Sequence, residues 1–312
     1  MPPAHYFKYK PSGHRLVVKK YWRLDKEIRI IITAEEAIEK FNELFTASVK
    51  RRLRSDVMVG TSLSGGLDSS SIVSTIQELK TDGAGLKTFS AVFPGFEKDE
   101  STYIDLITGK TGIHNFKTQP DADGLIKDFE KLCYHQEEPF PSSSIYAQYK
   151  VFELAKEKNI KVLLDGQGAD EILGGYTKYA QWYLQQLFTK DTSQYFKERK
   201  LLQQNDFLET WGWRNYAAAM FPDKAAHALQ QKAVAEQNNH ASINRDFLFN
   251  YRNADTLQKP VVKQLEDILY YNTFNTGLPE LLRYADRNSM AHSREVRLPF
   301  LNHELVQFVF AL

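Results

Sequence analysis

Asp56–Thr75 reads DVMVGTSLSGGLDSSSIVST, and its succession of apolar run, glycines and helical spacing decides the fold of the rest of the chain. Val57 to Leu63 is a short, β-branched apolar run of the kind that fills a central parallel strand. Ser64-Gly65-Gly66 follows at its carboxyl end, and Ile72, Val73 and Ile76 then take up helical spacing. A strand-to-helix turn of this composition points backbone N–H groups and hydroxyls into one concavity, with the positive end of the helix dipole behind them. Such a concavity suits a phosphate. Ser-Gly-Gly by itself would be a flexible connector, but a connector has no reason to sit between a buried strand and an amphipathic helix.

Asp68 stands at the helix start beside the expected anion, and two adjacent negative charges call for a cation. It is therefore a candidate Mg²⁺ ligand. No Lys follows the glycines and no G-x-G-x-x-G occupies the turn, so neither a Walker A loop nor a dinucleotide fingerprint is indicated. Transfer of a γ-phosphoryl is not the expected chemistry. A second loop, Leu164 to Glu171 (LDGQGADE), repeats the pattern: an apolar strand ends, glycines turn the chain, and a carboxylate opens a helix. Read alone, Gly-Ala-Asp-Glu is an ordinary N-cap with an acidic first turn. Read with the first loop, it places Asp170 opposite Asp68, a pair able to hold Mg²⁺ across the oxygens of a triphosphate.

Ser64 to Ser70 (SGGLDSS) resembles the pyrophosphate loop of the N-type ATP pyrophosphatases, and among these the asparagine synthetases. Asp165 to Tyr176 (DGQGADEILGGY) and Asp286 to His303 (DRNSMAHSREVRLPFLNH) match the same family in the same order. Weaker echoes lie at Phe89 to Gly95, Asp99-Glu100, His114 and Glu138-Pro139-Phe140. The resemblance implies ATP as substrate with Mg²⁺, and aspartate and ammonia as the other reactants. The aspartate carboxylate attacks the α-phosphorus and pyrophosphate leaves; ammonia then displaces AMP from the acyl-adenylate. It further implies that Ser64, Gly65, Gly66, Ser69 and Ser70 cradle the pyrophosphate, that Leu63 and Ala91 lie against the adenine, and that Asp165 and Gly166 touch the nucleotide. The positions matching Asp68 and Asp170 hold Mg²⁺ in that family.

Two positions depart from the family pattern. Its well-known members carry Glu where this chain has Gln167, and Lys where it has Arg287. Gln orients but does not accept a proton; Arg stays charged and cannot serve as a general acid. That leaves three routes open: electrostatics alone, Glu171 or Glu295 as the base, or another amine-acceptor scheme. Ion pairing of Arg287 and Arg297 with Asp286 or Glu295 is the structural alternative. The same departures leave open a paralogue that amidates another carboxylate or closes a lactam, and a catalytically impaired nucleotide-binding regulatory subunit.

The chain has 312 residues with 42% hydrophobic and 13% aromatic content, enough for a substantial core. Its 40 basic and 39 acidic side chains leave a net charge of +1, so bulk composition carries no footprint for nucleic acid or an anionic membrane. The run Lys50 to Arg54 reads as a solvated helix end. A single cysteine, Cys133, cannot pair internally and reads as a core residue of a helix, which fits a reducing cytoplasm. No apolar stretch reaches the roughly 20 residues that span a bilayer.

Residues 1–32 read as an extended arm with a turn at Pro11 to Gly13 and β-like runs at Leu16 to Val18 and Ile28 to Ile32. A similar stretch, ending in a pair like Tyr21-Trp22, joins a glutaminase domain to the synthetase domain in the family. That glutaminase is expected to be missing here, its nucleophilic amino-terminal cysteine having no counterpart. Thr33 and Glu36 form a capping box ahead of a helix to Arg54. The strand Lys87 to Phe93, after a turn at 82–85, a helix from Asp99, a strand Ile113 to Lys117, helices near 121–136 and 143–159 and the strand Lys161 to Leu164 continue a βαβ rhythm. Residues 33–176 should thus form a doubly wound, mostly parallel α/β sheet with its ligand crevice at the carboxyl strand ends. Residues 177–312 read as a helical region, with solvated Gln and Asn around Gln230 to Asn239. The apolar helix His303 to Leu312 lacks a stop signal, so the chain is expected to be cut at its carboxyl end and to need its ammonia from outside; a homodimer is one assembly open to it.

Overall fold

A computed structural model describes residues 1–79, 85–97, 99–208, 210–238, 244, 246–247, 250 and 260–312. Five parallel strands form the central sheet: β3 (Val59–Ser62), β4 (Lys87–Ala91), β5 (His114–Thr118), β6 (Val162–Leu164) and β7 (Glu295–Arg297), in the order β5-β4-β3-β6-β7. The chain starts in the middle at β3, moves outward through β4 and β5, then returns to the other side of β3 as β6. That reversal makes β3 and β6 neighbours, so the loops after them meet at the topological switch point, where open α/β sheets bind ligands.

Helices cover both faces. On one side, α1 (Ala34–Arg52) and α2 (Leu67–Leu79) bury Phe45, Val49, Ile72, Val73 and Ile76 against Leu63 and Leu164. On the other, α5 (Ser144–Glu157) buries Val151, Phe152 and Ala155 against Phe89 and Leu163. Leu163 and Leu164 face opposite ways because side chains alternate along a strand. Each fully buried apolar side chain of this kind stabilises the fold by roughly 1.5–3 kcal/mol. Helix α3 (Ser101–Thr111) and α4 (Ala122–Gln136) complete the crossovers, and α1 opens with the expected box, Thr33 Oγ1 accepting from the Glu36 N–H at 3.2 Å and Glu36 accepting from the Thr33 N–H at 2.8 Å.

The arm is more structured than its sequence suggests. His5–Lys10 (β1) and Arg15–Lys20 (β2) pair as an antiparallel hairpin, whereas 28–32 forms no strand and is instead held by the Ile30 N–H bonded to the Ala311 carbonyl at 2.7 Å. Leu24 is buried and Trp22 packs on Phe274. The carboxyl-terminal region is helical as expected through Tyr179–Lys190, Thr192–Gln204, Trp213–Met220, Pro222–Asn238, Leu265–Phe274 and Leu278–Ala291, but it also returns residues 295–297 to the sheet as its edge strand. Three residues, two of them charged, carry too little alternation to announce that strand. The helix His303–Ala311 then packs its buried Leu305 and Val306 into the same core as α1. Cys133 is half-buried at the surface of α4, not a core residue. The run ending α1 is exposed at Lys50, Arg51 and Arg54, as expected of a solvated helix end; Arg51 pairs with Glu304 at 2.5 Å, and the half-buried Arg52 donates to Ser48 Oγ at 2.6 Å. The turn at 82–85, apart from Gly85, and Asn239 lie outside the described residues. No helix among the described residues is long and apolar enough to cross a membrane.

Candidate active site

The first loop closes on itself through its own hydroxyls. Ser69 Oγ sits 3.1 Å from Ser64 Oγ, accepts from the Ser64 N–H at 3.2 Å and reaches the Gly66 carbonyl at 3.3 Å; Ser64 Oγ accepts from the Gly66 N–H at 3.3 Å. Gly65 adopts φ +92°, a left-handed conformation that costs an L-residue steric strain, and its Cα faces Glu100 and Tyr103 so closely that a Cβ would lie 3.0 Å from each. The loop therefore turns sharply into α2, whose first-turn N–H groups lack intrahelical acceptors. Ser70 Oγ is buried there without a partner among the described residues.

The second loop comes up against the first. A Cβ on Gly166 would lie 3.0 Å from Asp68 Cβ and 3.2 Å from the Ser69 nitrogen. Glycine permits that approach. Asp170 then stands close enough to Asp68 for their charges to interact: burial, then Asp170, then Glu171 push the Asp68 carboxyl up to about 6. Burial also raises Asp170, and Lys178 pulls it back. Burial raises Asp165, against hydrogen bonds from the Gly166 and Gln167 N–H groups and the Ser62 hydroxyl. Two mutually repelling carboxylates at the mouth of a loop rich in N–H donors have the donor chemistry of a hard divalent ion whose remaining ligands are phosphate oxygens. Among the described residues no cluster of three or more His, Cys, Asp or Glu is present.

Beside these loops lies a cavity of about 260 Å³ lined by Leu63, Ser64, Ala91 and Asp165, together with Ser90, Glu100 and Gln148. The Leu63 N–H donates to the Phe89 carbonyl at 2.9 Å, and its carbonyl accepts from Ser90 Oγ at 2.5 Å. Ser90 and Gln148 escaped the sequence reading because neither belongs to a loop motif; an inward-facing Ser at the end of β4 was the available signal for the first.

The four candidate catalytic residues are placed differently. Gln167 sits in the second loop with its Oε1 buried and without a partner among the described residues. Glu171 is near Asp68, but it is 2% exposed and accepts from the Tyr176 hydroxyl at 2.7 Å. A carboxylate so enclosed is no ready base. Arg287 pairs with Glu137 at 2.6 Å, not with Asp286, on the rim of a larger polar cavity shared with Cys133 and Asp286. Glu295 is not brought to the site: it opens β7 opposite Val162, at the amino-terminal ends of the strands, and accepts from Arg297 Nε at 2.6 Å. Arg297 in turn donates to the Arg52 and Arg54 carbonyls at 2.6 and 2.8 Å, so this pair ties the sheet edge to the end of α1.

Residues 40–312 match the family model for asparagine synthase. The chain belongs to the asparagine synthase family. It is 26% identical over 314 residues to the asparagine synthetase [glutamine-hydrolyzing] 1 of Bacillus subtilis, an alignment covering 96% of this chain and 47% of that protein. A putative asparagine synthetase [glutamine-hydrolyzing] 2 of Methanocaldococcus jannaschii is 39% identical over 166 residues, 52% of this chain and 31% of that one. Amidase chry2 of Gibberella zeae is 24% identical over 345 residues, 98% of this chain and 51% of its own length. The chain thus spans about half the length, or less, of the relatives it matches.

Proposed function

We propose that this chain activates a carboxylate with ATP and converts it to an amide, the carboxylate being the side chain of aspartate and the product asparagine. The observation that carries the reading is the meeting of the two glycine loops at the switch point, which sets Asp68 beside Asp170 at the mouth of the Ser64–Ser70 cradle. An aspartate carboxylate oxygen attacks the α-phosphorus, the bond from that phosphorus to the bridging oxygen breaks, and pyrophosphate leaves into the loop. Ammonia then adds to the carbonyl carbon, loses a proton, and AMP departs with the carbon–oxygen bonding pair.

Both steps bring like charges together, and donors fixed in advance lower that barrier more than mobile water can. The N–H groups and hydroxyls of Ser64 to Ser70 would bind the departing pyrophosphate. Leu63 and Ala91 would flank the adenine, and Asp165 and Gly166 would border the nucleotide. Asp68 and Asp170 would hold Mg²⁺, which supplies charge neutralisation between the phosphate oxygens. Gln167, with its buried Oε1 unsatisfied, would accept a hydrogen bond from the attacking amine and orient it without taking its proton. Arg287 would contribute positive charge, released from Glu137 by the incoming anion. A cytoplasmic setting, where ATP is available, fits the single thiol.

Gln167, Arg287 and the likeness to a protein named an amidase also favour a second reading, in which the same chemistry acts on a different carboxylate. Aspartate labelled with ¹⁸O in its side chain decides the reaction class. Attack at the α-phosphorus sends one label into AMP; label in inorganic phosphate, or none in any phosphate product, would overturn the adenylate route.

A further inference from the structure

Three amides from three helices form a hydrogen-bonded chain that ends at the 260 Å³ cavity. Gln136, at the end of α4, is 1% exposed; Asn288, in the helix Leu278–Ala291, is fully buried; Gln148, on α5, lines the cavity itself. Gln136 Nε2 lies 2.7 Å from Asn288 Oδ1, and Asn288 Nδ2 lies 3.0 Å from the Ile145 carbonyl and 2.9 Å from Gln148 Oε1. Around them stand Leu132, Ile145, Tyr146, Tyr149 and Tyr284, an apolar setting in which uncompensated amides are costly. Gln136 Oε1 indeed has no partner among the described residues.

The polarity of this chain is dictated by chemistry. A backbone carbonyl only accepts, so the Asn288 atom facing the Ile145 oxygen must be its NH₂ group. One of the two hydrogens goes to Ile145, and the other is left for Gln148, which must therefore present its oxygen to Asn288. The Asn288 oxygen then faces Gln136 and requires the Gln136 NH₂ there. With its oxygen engaged, Gln148 has its own NH₂ group left over, and no partner for it exists among the described residues. The side chain is locked with a donor, not an acceptor, available to the cavity.

We propose that Gln148 donates a hydrogen bond to a neutral acceptor atom of the nucleoside part of bound ATP, a ring nitrogen of the base or a ribose oxygen, and that Asn288 is the residue that positions it. The inference rests on the nucleotide reading of this cavity. Ser90, on the cavity wall, has its hydroxyl committed to the Leu63 carbonyl while accepting from Asn115 Nδ2 at 2.9 Å, so it cannot supply that donor. Gln148 is partly exposed, but its oxygen accepts from the buried Asn288 Nδ2, so the urea midpoint of each variant is read beside its binding.

The test is equilibrium binding of Mg·ATP to the chain and to Gln148→Met, compared across 1-deaza-, 3-deaza- and 7-deaza-ATP and the 2′- and 3′-deoxy nucleotides. Loss of one neutral hydrogen bond predicts binding about five- to tenfold weaker for Gln148→Met. One analogue of the set should bind the unmodified chain weaker by a similar factor, yet bind Gln148→Met as well as ATP does; that analogue identifies the acceptor. Asn288→Leu should shrink the same analogue's penalty, because Gln148 is then free to turn. A Gln148→Met protein that binds ATP within twofold of the unmodified chain, or that weakens every nucleotide equally while keeping each analogue penalty, would overturn the inference. So would an Asn288→Leu protein with the penalty intact. An unmodified chain that binds no Mg·ATP would overturn the nucleotide reading itself, a different outcome from any of these.

Discussion

Gly166→Ala perturbs the contact between the two loops and little else. The residue is outside the left-handed region, so an alanine costs no backbone strain there; the added methyl meets Asp68 Cβ at 3.0 Å and the Ser69 nitrogen at 3.2 Å, where ordinary contacts begin at 3.4 Å. Neither neighbour is the far end of a flexible side chain. The loops must therefore part by a few tenths of an ångström, with a strain of about 1–3 kcal/mol typical of overpacking. A misplacement near 1 Å at a reacting centre costs about a hundredfold in rate, so a shift of this size should lower turnover by about tenfold. Gly109→Ala is the control: it sits inside α3 with nothing within 4 Å of the new Cβ and should stabilise the chain by about 0.5–1 kcal/mol. The assays are the urea midpoint and the rate of pyrophosphate release from ATP. A Gly166→Ala protein with both values unchanged would refute the close approach of the loops.

Three further outcomes follow from the same geometry. Asp68→Asn and Asp170→Asn should each abolish Mg-dependent ATP binding while circular dichroism and urea midpoints show a folded protein; near-normal binding in either would remove that residue from the metal site. Glu295→Gln, at the far end of the sheet, should leave pyrophosphate release within twofold of the unmodified chain, and a loss beyond tenfold would show that Glu295 reaches the chemistry. His292 is 5% exposed and packs against Tyr149; burial lowers its pKa to about 4 against the opposing pull of Glu153, with Lys156, His135 and Lys150 adding to the lowering. The unfolded chain takes up that proton near 6.5, so the stability from keeping His292 neutral is full above about 6.5 and is lost as pH falls toward 4, up to about 3 kcal/mol in all. His292→Leu should flatten the urea midpoint across that window, and an unchanged slope would contradict the assignment.

The sequence made the switch point legible because its two loops each carry a full local signature: a β-branched or leucine-rich run, glycines at the turn, and a carboxylate at the next helix start. β7 was not legible, since Glu295-Val296-Arg297 is too short and polar to carry a strand period, and only its pairing with β6 makes it one. The placement of Glu295 failed for the same reason: without the strand, nothing fixed which end of the sheet it would occupy. Gln136, Asn288 and Gln148 belong to three helices and no motif. The available hint was an amide set in an apolar helical stripe, Gln136 one turn beyond Leu132 and Asn288 one turn beyond Tyr284. The capping box at Thr33 and Glu36 was readable because its partners are three residues apart. The hairpin of residues 5–20 was only partly so, since its turn is local but the pairing of its strands is not.

The exchange of labelled pyrophosphate into ATP reports the reversible formation of an acyl-adenylate before any amine is added, and so separates an amide-forming enzyme from a protein that only binds the nucleotide. With Mg²⁺ present, aspartate should stimulate exchange where glutamate, glycine and β-alanine do not, and Asp68→Asn should abolish it. Exchange supported by another acid and not by aspartate would transfer the same chemistry to a different substrate. Mg·ATP binding with no exchange under any carboxylate would contradict the assignment of this chain as an amide-forming enzyme.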